Sequence, residues 1–109
     1  MKRGEIWTAA GGTAYARKPR PVLIVQDDAY AKTESVVVCP TTTEQITTEF
    51  LRPSLEPNEA NGLLVASRVM VDKVAALPRG NLRERIGLID DDKIRQVETA
   101  LMTFLGMAR

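Results

Sequence analysis

Two short stretches hold the residues best suited by type and spacing to do chemistry. Arg17, Lys18 and Arg20 place three cations within four residues, with Tyr15 beside them. Clustered cations next to an aromatic can hold phosphates and stack on a base, although a solvated charge run is the commoner source of such a cluster. Further on, Thr41, Thr42 and Thr43 follow directly on Ser35-Val36-Val37-Val38-Cys39-Pro40. Three hydroxyls at the end of a buried run are suited to contact an oxyanion or phosphate; β-propensity and turn capping account for threonines equally well.

Arg20 is distinctive because it lies between Pro19 and Pro21. The residue before a proline is driven out of helical geometry into extended backbone, so the guanidinium starts from a pre-set position. Val22-Leu23-Ile24-Val25 follows, an apolar run short and branched enough to be a strand covered on both faces. Asp27-Asp28 reads as the cap of one helical turn, since no third carboxylate is spaced to join the pair on a metal.

An absence narrows the chemistry further. The chain has no histidine, the side chain best matched to proton transfer near neutral pH. Histidine-based ribonucleases, Ser-His-Asp hydrolases and histidine-containing zinc sites are excluded. The phosphate-binding loop and dinucleotide glycine patterns are missing too, so neither cofactor nor metal is expected. Cys39 is the single cysteine, which forbids an internal disulfide and suits a reducing cytoplasm.

The elements that must carry these residues belong to one domain, 1–109. With 44% hydrophobic and 27% charged residues the composition is that of an ordinary soluble protein, with no membrane span and no leader expected. Fifteen basic and fourteen acidic residues give +1, so a nucleic-acid site has to be local. Strands are predicted at Gly4–Ala9, Val22–Val25, Ser35–Cys39, Ile46–Leu51, Leu63–Val71, Lys73–Leu77 and Ile86–Leu88. Arg68 lies on one of these, as a phosphate contact or as an edge cation over apolar surface. Ile94, Val97, Leu101, Phe104 and Leu105 form one helical apolar stripe, begun by Asp90, Asp91 and Asp92 and stopped at Gly106. The expected fold is mainly β, a small barrel with a C-terminal α-helix.

With these residues in view, the sequence resembles the MazF/PemK family of bacterial endoribonuclease toxins. The resemblance runs through Lys2-Arg3-Gly4-Glu5-Ile6-Trp7, Arg20-Pro21-Val22-Leu23-Ile24-Val25-Gln26-Asp27-Asp28 and Val37-Val38-Cys39-Pro40-Thr41-Thr42, and more loosely through Leu64 to Leu77 and the terminal helix. It implies an SH3-like barrel, a homodimer, metal-independent and sequence-specific cleavage of single-stranded RNA, and neutralisation by a cognate antitoxin. It also implies that Arg20 and Thr41 carry the chemistry. Arg17, Lys18, Thr42, Thr43 and Arg68 are the expected RNA contacts, from the cation cluster, the hydroxyl run and the strand cation. The mechanism expected is attack of the ribose 2′-OH on the adjacent phosphorus, leaving a 2′,3′-cyclic phosphate and a 5′-OH. An always-charged guanidinium suits the negative charge that develops, and Thr41 would donate to a non-bridging oxygen. Arginine is a poor proton carrier, so the base is open.

Two other readings compete. A gyrase-poisoning toxin of the same fold would act by binding a protein. A non-catalytic RNA-binding barrel would expose several stacking aromatics, and this chain has only one Trp, two Tyr and two Phe.

Overall fold

The computed structural model describes residues 1–10, 19–45 and 49–108. They form seven strands, β1 (Glu5–Ala9), β2 (Arg20–Ile24), β3 (Ser35–Thr42), β4 (Ser54–Leu55), β5 (Ser67–Val69), β6 (Ala75–Pro78) and β7 (Leu82–Leu88), three single-turn 3-10 helices and one α-helix, α1 (Asp91–Phe104). The strands make one curled antiparallel sheet in the order β4-β5-β3-β2-β1-β7, with β6 joined to the other half of β3. This is the mainly β architecture with a C-terminal helix that the sequence leads one to expect.

The centre of the sheet explains the unbroken apolar runs. Side chains alternate across a strand, and both faces of β2 are covered. Leu23 packs with Ile6, Cys39, Val69, Val71 and Val97 on one side, while Val22 and Ile24 pack with Ala9, Val36, Val38 and Leu82 on the other. Each Val, Leu or Ile side chain among these, taken fully from water, contributes roughly 1.5–3 kcal/mol. Helix α1 lies over the first layer through Val97 and Ala100, both buried. Asp90 caps it by accepting from the Lys93 N–H at 2.8 Å. The last part of the predicted stripe leaves the core: Phe104 and Leu105 are about half exposed.

Three expectations about strands need correction. The strand predicted at Ser35–Cys39 runs on through Pro40 to Thr42. The missing N–H of Pro40 is tolerated because this residue falls where the neighbour of β3 changes from β6 to β5, and its carbonyl still accepts from Met70 N–H. Within the predicted strand Ile46–Leu51, residues 49–51 form turns and 46–48 lie outside the described residues; the paired segment is Ser54–Leu55, beyond Pro53. The predicted strand Leu63–Val71 contracts to Ser67–Val69, leaving Leu64 and Val65 exposed. By contrast, β7 is longer than Ile86–Leu88 because it pairs with β1 across two register shifts.

Candidate functional site: a free arginine across from a threonine pair

Arg20 opens β2, paired with Ala9 of β1, and its side chain is exposed. It makes no hydrogen bond or ion pair among the described residues, and this sets it apart. Arg3 is held by Glu98 at 2.6 Å and by the Val25 carbonyl. Arg52 is held by Asp72, Arg85 by Glu5 and Arg95 by Asp92. Arg79 donates to the carbonyls of Thr33 and Ala31. Among the described arginines, only Arg20 and Arg83 keep their donors uncommitted. A guanidinium with its fork unused is ready for an incoming oxyanion.

The threonines sit across the neighbouring strand pair. In the β2–β3 register Val22 faces Pro40, Leu23 faces Cys39 and Ile24 faces Val38. That pairing ends at Val22 and Pro40; beyond it Thr41 and Thr42 pair with Val69 and Arg68 of β5, and both threonines border the same two concavities as Arg20. The hydroxyl of Thr41 donates to the Pro21 carbonyl at 2.8 Å, and the residue is buried. A hydroxyl has one proton, so Thr41 spends its donor on the strand beside it. Thr42 is half-buried, and its hydroxyl oxygen accepts from the Glu44 N–H at 3.1 Å. Its proton has no acceptor among the described residues. Thr43 is exposed, and its carbonyl accepts from the Gln45 amide.

Arg20, Thr41 and Thr42 form a ridge between two concavities. The first, about 430 Å³, is bounded by Thr8, Thr43, Ser67 and an apolar wall of Leu64, Val65 and Ile86. The loop behind that wall is fixed by buried Asn61, whose side chain accepts from the N–H groups of Asn58 and Leu63. Gly62 has φ +69°, and a Cβ there would fall 2.0 Å from the Ile86 carbonyl, so only glycine permits this approach. The second concavity, about 620 Å³, is polar, with Arg52, Lys73 and Glu44 beside the same ridge. Arg52 reaches it from a two-pronged pair with Asp72, at 3.1 and 3.0 Å. That hydrogen bonding holds the Asp72 carboxyl below its ordinary value and keeps both partners charged. The arrangement can take a phosphodiester on the ridge, with one flanking nucleotide against an apolar wall and the other among cations.

The remaining predicted contacts separate from this centre. Arg68 bonds Glu49 at 2.9 Å, Gln45 at 3.1 Å and the Arg52 carbonyl at 3.0 Å, so it ties β5 to the preceding turn and lines neither concavity. Arg17 and Lys18 lie outside the described residues. The opening Arg3-Gly4-Glu5-Ile6-Trp7 proves structural: Glu5 accepts from the Lys2 N–H, the Trp7 indole and Arg85. Burial alone would raise the Glu5 carboxyl, but those donors outweigh it and hold the pKa below the ordinary value. Burial, with the Asp72 charge nearby, pushes the Cys39 thiol up to about 12, so it stays protonated and inert. No group of three or more Cys, Asp or Glu positioned for a metal ion occurs among the described residues. Glu44, Arg52 and Lys73 were beyond sequence reasoning, because they converge from separate turns.

Comparison with known proteins agrees with the fold and the motifs. The family described as PemK-like, MazF-like toxin of type II toxin-antitoxin system matches residues 2–105. A probable endoribonuclease MazF of Mycolicibacterium smegmatis is 45% identical over 108 residues, which is 99% of each chain. Among solved structures, an endoribonuclease in complex with its cognate antitoxin from a mycobacterial species superposes with a TM-score of 0.81 at 24% identity, covering 100% of this chain and 98% of that one. MazF from Deinococcus radiodurans gives 0.80 at 21% identity, over 98% and 97% of the two chains. With a fold, an opening motif and a full-length relative in agreement, this chain belongs to the PemK-like, MazF-like toxins of type II toxin-antitoxin systems.

Proposed function

We propose that this protein is a sequence-specific endoribonuclease toxin that cleaves single-stranded RNA by 2′-OH attack, without a metal ion. The observation that carries the reading is the uncommitted guanidinium of Arg20, which with Thr41 and Thr42 borders two concavities. The full-length relative named as a probable endoribonuclease supports it. Arg20 stabilises the charge that grows on the non-bridging oxygens, where one such donor supplies about 2.7–4 kcal/mol. Thr42 donates to the same phosphate, because its proton is free. Thr41, given that role by the sequence, instead positions the ridge through Pro21. Thr43, Arg17 and Lys18 contact flanking RNA, while Arg68 supports the β4–β5 turn. None of Trp7, Tyr30, Phe50 or Phe104 lines either concavity, which weighs against a purely stacking RNA-binding module.

A cognate antitoxin neutralises the enzyme in this reading, as relatives solved with antitoxins suggest. The protein works in the cytoplasm as a homodimer, whose two ridges together hold more RNA than one. The test is incubation of purified protein with long mixed-sequence RNA in excess chelator. Discrete cuts ending in 2′,3′-cyclic phosphate are expected and should cease when antitoxin is added. Intact RNA, or cuts that appear only with a divalent ion, would overturn the proposal.

A further inference from the structure

The 2′-hydroxyl must lose its proton, and the chain has no histidine to take it. An arginine keeps its proton well beyond neutral pH, which makes Arg20 and Arg52 poor bases. Cys39 is buried in the core and protonated. Tyrosine and lysine ordinarily titrate near pH 10, too high for an efficient base at neutrality. Carboxylates remain. Among the described residues Glu44 is the only one bordering either concavity, and segments 11–18 and 46–48 contain no Asp or Glu.

We infer that Glu44 is the general base of the cleavage reaction, a role that rests on the ribonuclease reading above. Two features of its placement support this. The Glu44 N–H donates to the Thr42 hydroxyl oxygen at 3.1 Å, so one bond fixes the carboxylate-bearing residue relative to the hydroxyl facing the phosphate. The Glu44 side chain makes no hydrogen bond or close ion pair among the described residues, and although the Arg52 charge acts on it, its oxygens are open to an incoming proton. Arg20, Arg52 and Lys73 border the same concavity, so one carboxylate there leaves it attractive to a phosphate. In the step itself, the 2′-OH proton passes to a Glu44 oxygen as the 2′ oxygen bonds to phosphorus. The bond from phosphorus to the 5′ oxygen breaks, and that oxygen takes a proton from solvent. Glu44 then returns its proton to solvent, so the RNA is rearranged with no net consumption of water.

The test compares wild type, Glu44→Gln and Glu44→Asp under single-turnover conditions on the long mixed-sequence RNA, from pH 5 to 9. Glu44→Gln should lose about 10²- to 10⁴-fold in rate at pH 7, the usual reach of general-base catalysis, with RNA binding maintained. Its rate should climb steadily with pH as hydroxide replaces the base, whereas the wild-type rate should reach a plateau that Glu44→Gln lacks. Glu44→Asp should recover part of the loss. A Glu44→Gln protein that matches wild type, or that loses activity only through lost binding or folding, would overturn the assignment. A wild type that leaves RNA intact would instead defeat the ribonuclease reading itself.

Discussion

The Thr41 hydroxyl donates to the Pro21 carbonyl at 2.8 Å, a side-chain bond between two strands where proline leaves no N–H on β2. It fixes the neighbour of Arg20 to the neighbour of Thr42, and so sets the spacing of the two groups that would meet a phosphate. Under the proposed function, the two adjacent threonines divide support and chemistry between them.

That division predicts opposite signatures for two isosteric changes. Thr42→Val should lose most RNA cleavage while the melting temperature stays near wild type. Thr41→Val should cost about 1–2 kcal/mol of stability, because it leaves the Pro21 carbonyl without its donor. Urea unfolding and single-turnover cleavage on both variants check this. Equal stability losses, or full activity in Thr42→Val, would contradict it.

Arg20→Lys should fold normally, since the guanidinium makes no bond within the described protein. It should lose about 2–4 kcal/mol of transition-state stabilisation, because an ammonium cannot reproduce the two-pronged fork. The matching measurement is a circular dichroism spectrum beside a cleavage time course. A correctly folded Arg20→Lys protein with wild-type cleavage would remove Arg20 from the mechanism.

Acid stability should depend on Asp72. Its pKa is lowered in the fold, chiefly by the Arg52 hydrogen bonds, so the folded state holds fewer protons than the unfolded one in that window. The pair's contribution is fully present above the unfolded value of about 3.9 and is lost as pH falls through the lower, folded value. Both groups are partly exposed, so the effect is about 1 kcal/mol. Asp72→Asn should be less stable than wild type at pH 7, and the gap should close toward pH 2. A constant gap across that range would rule the linkage out.

The central strands are legible because Val22–Val25 and Val36–Cys39 are apolar at consecutive positions, as a sheet covered on both faces requires. The helix was legible from its cap and its periodicity. The end of β3 is not legible, because whether a proline stops a strand depends on which neighbour needs its N–H, and that is a property of the sheet. The site was legible only in part. Arg20 and the threonine run announce themselves, but which threonine keeps a free proton is decided by register against Pro21. Arg68 looked as available as Arg20 in the sequence. Its commitment to Glu49 and Gln45 follows from a turn that brings residues from separate segments together.

The central claim is that the ribose 2′-OH is the nucleophile and Arg20 stabilises the charge its attack creates. The most direct measurement uses an RNA cleaved at a mapped position, remade with a single 2′-deoxy nucleotide on the 5′ side of that bond. Wild-type protein in chelator should bind both RNAs alike, cut the all-ribose strand to a 2′,3′-cyclic phosphate, and leave the substituted bond intact. Cleavage of the 2′-deoxy bond at a comparable rate, or products carrying a 5′-phosphate, would contradict the account.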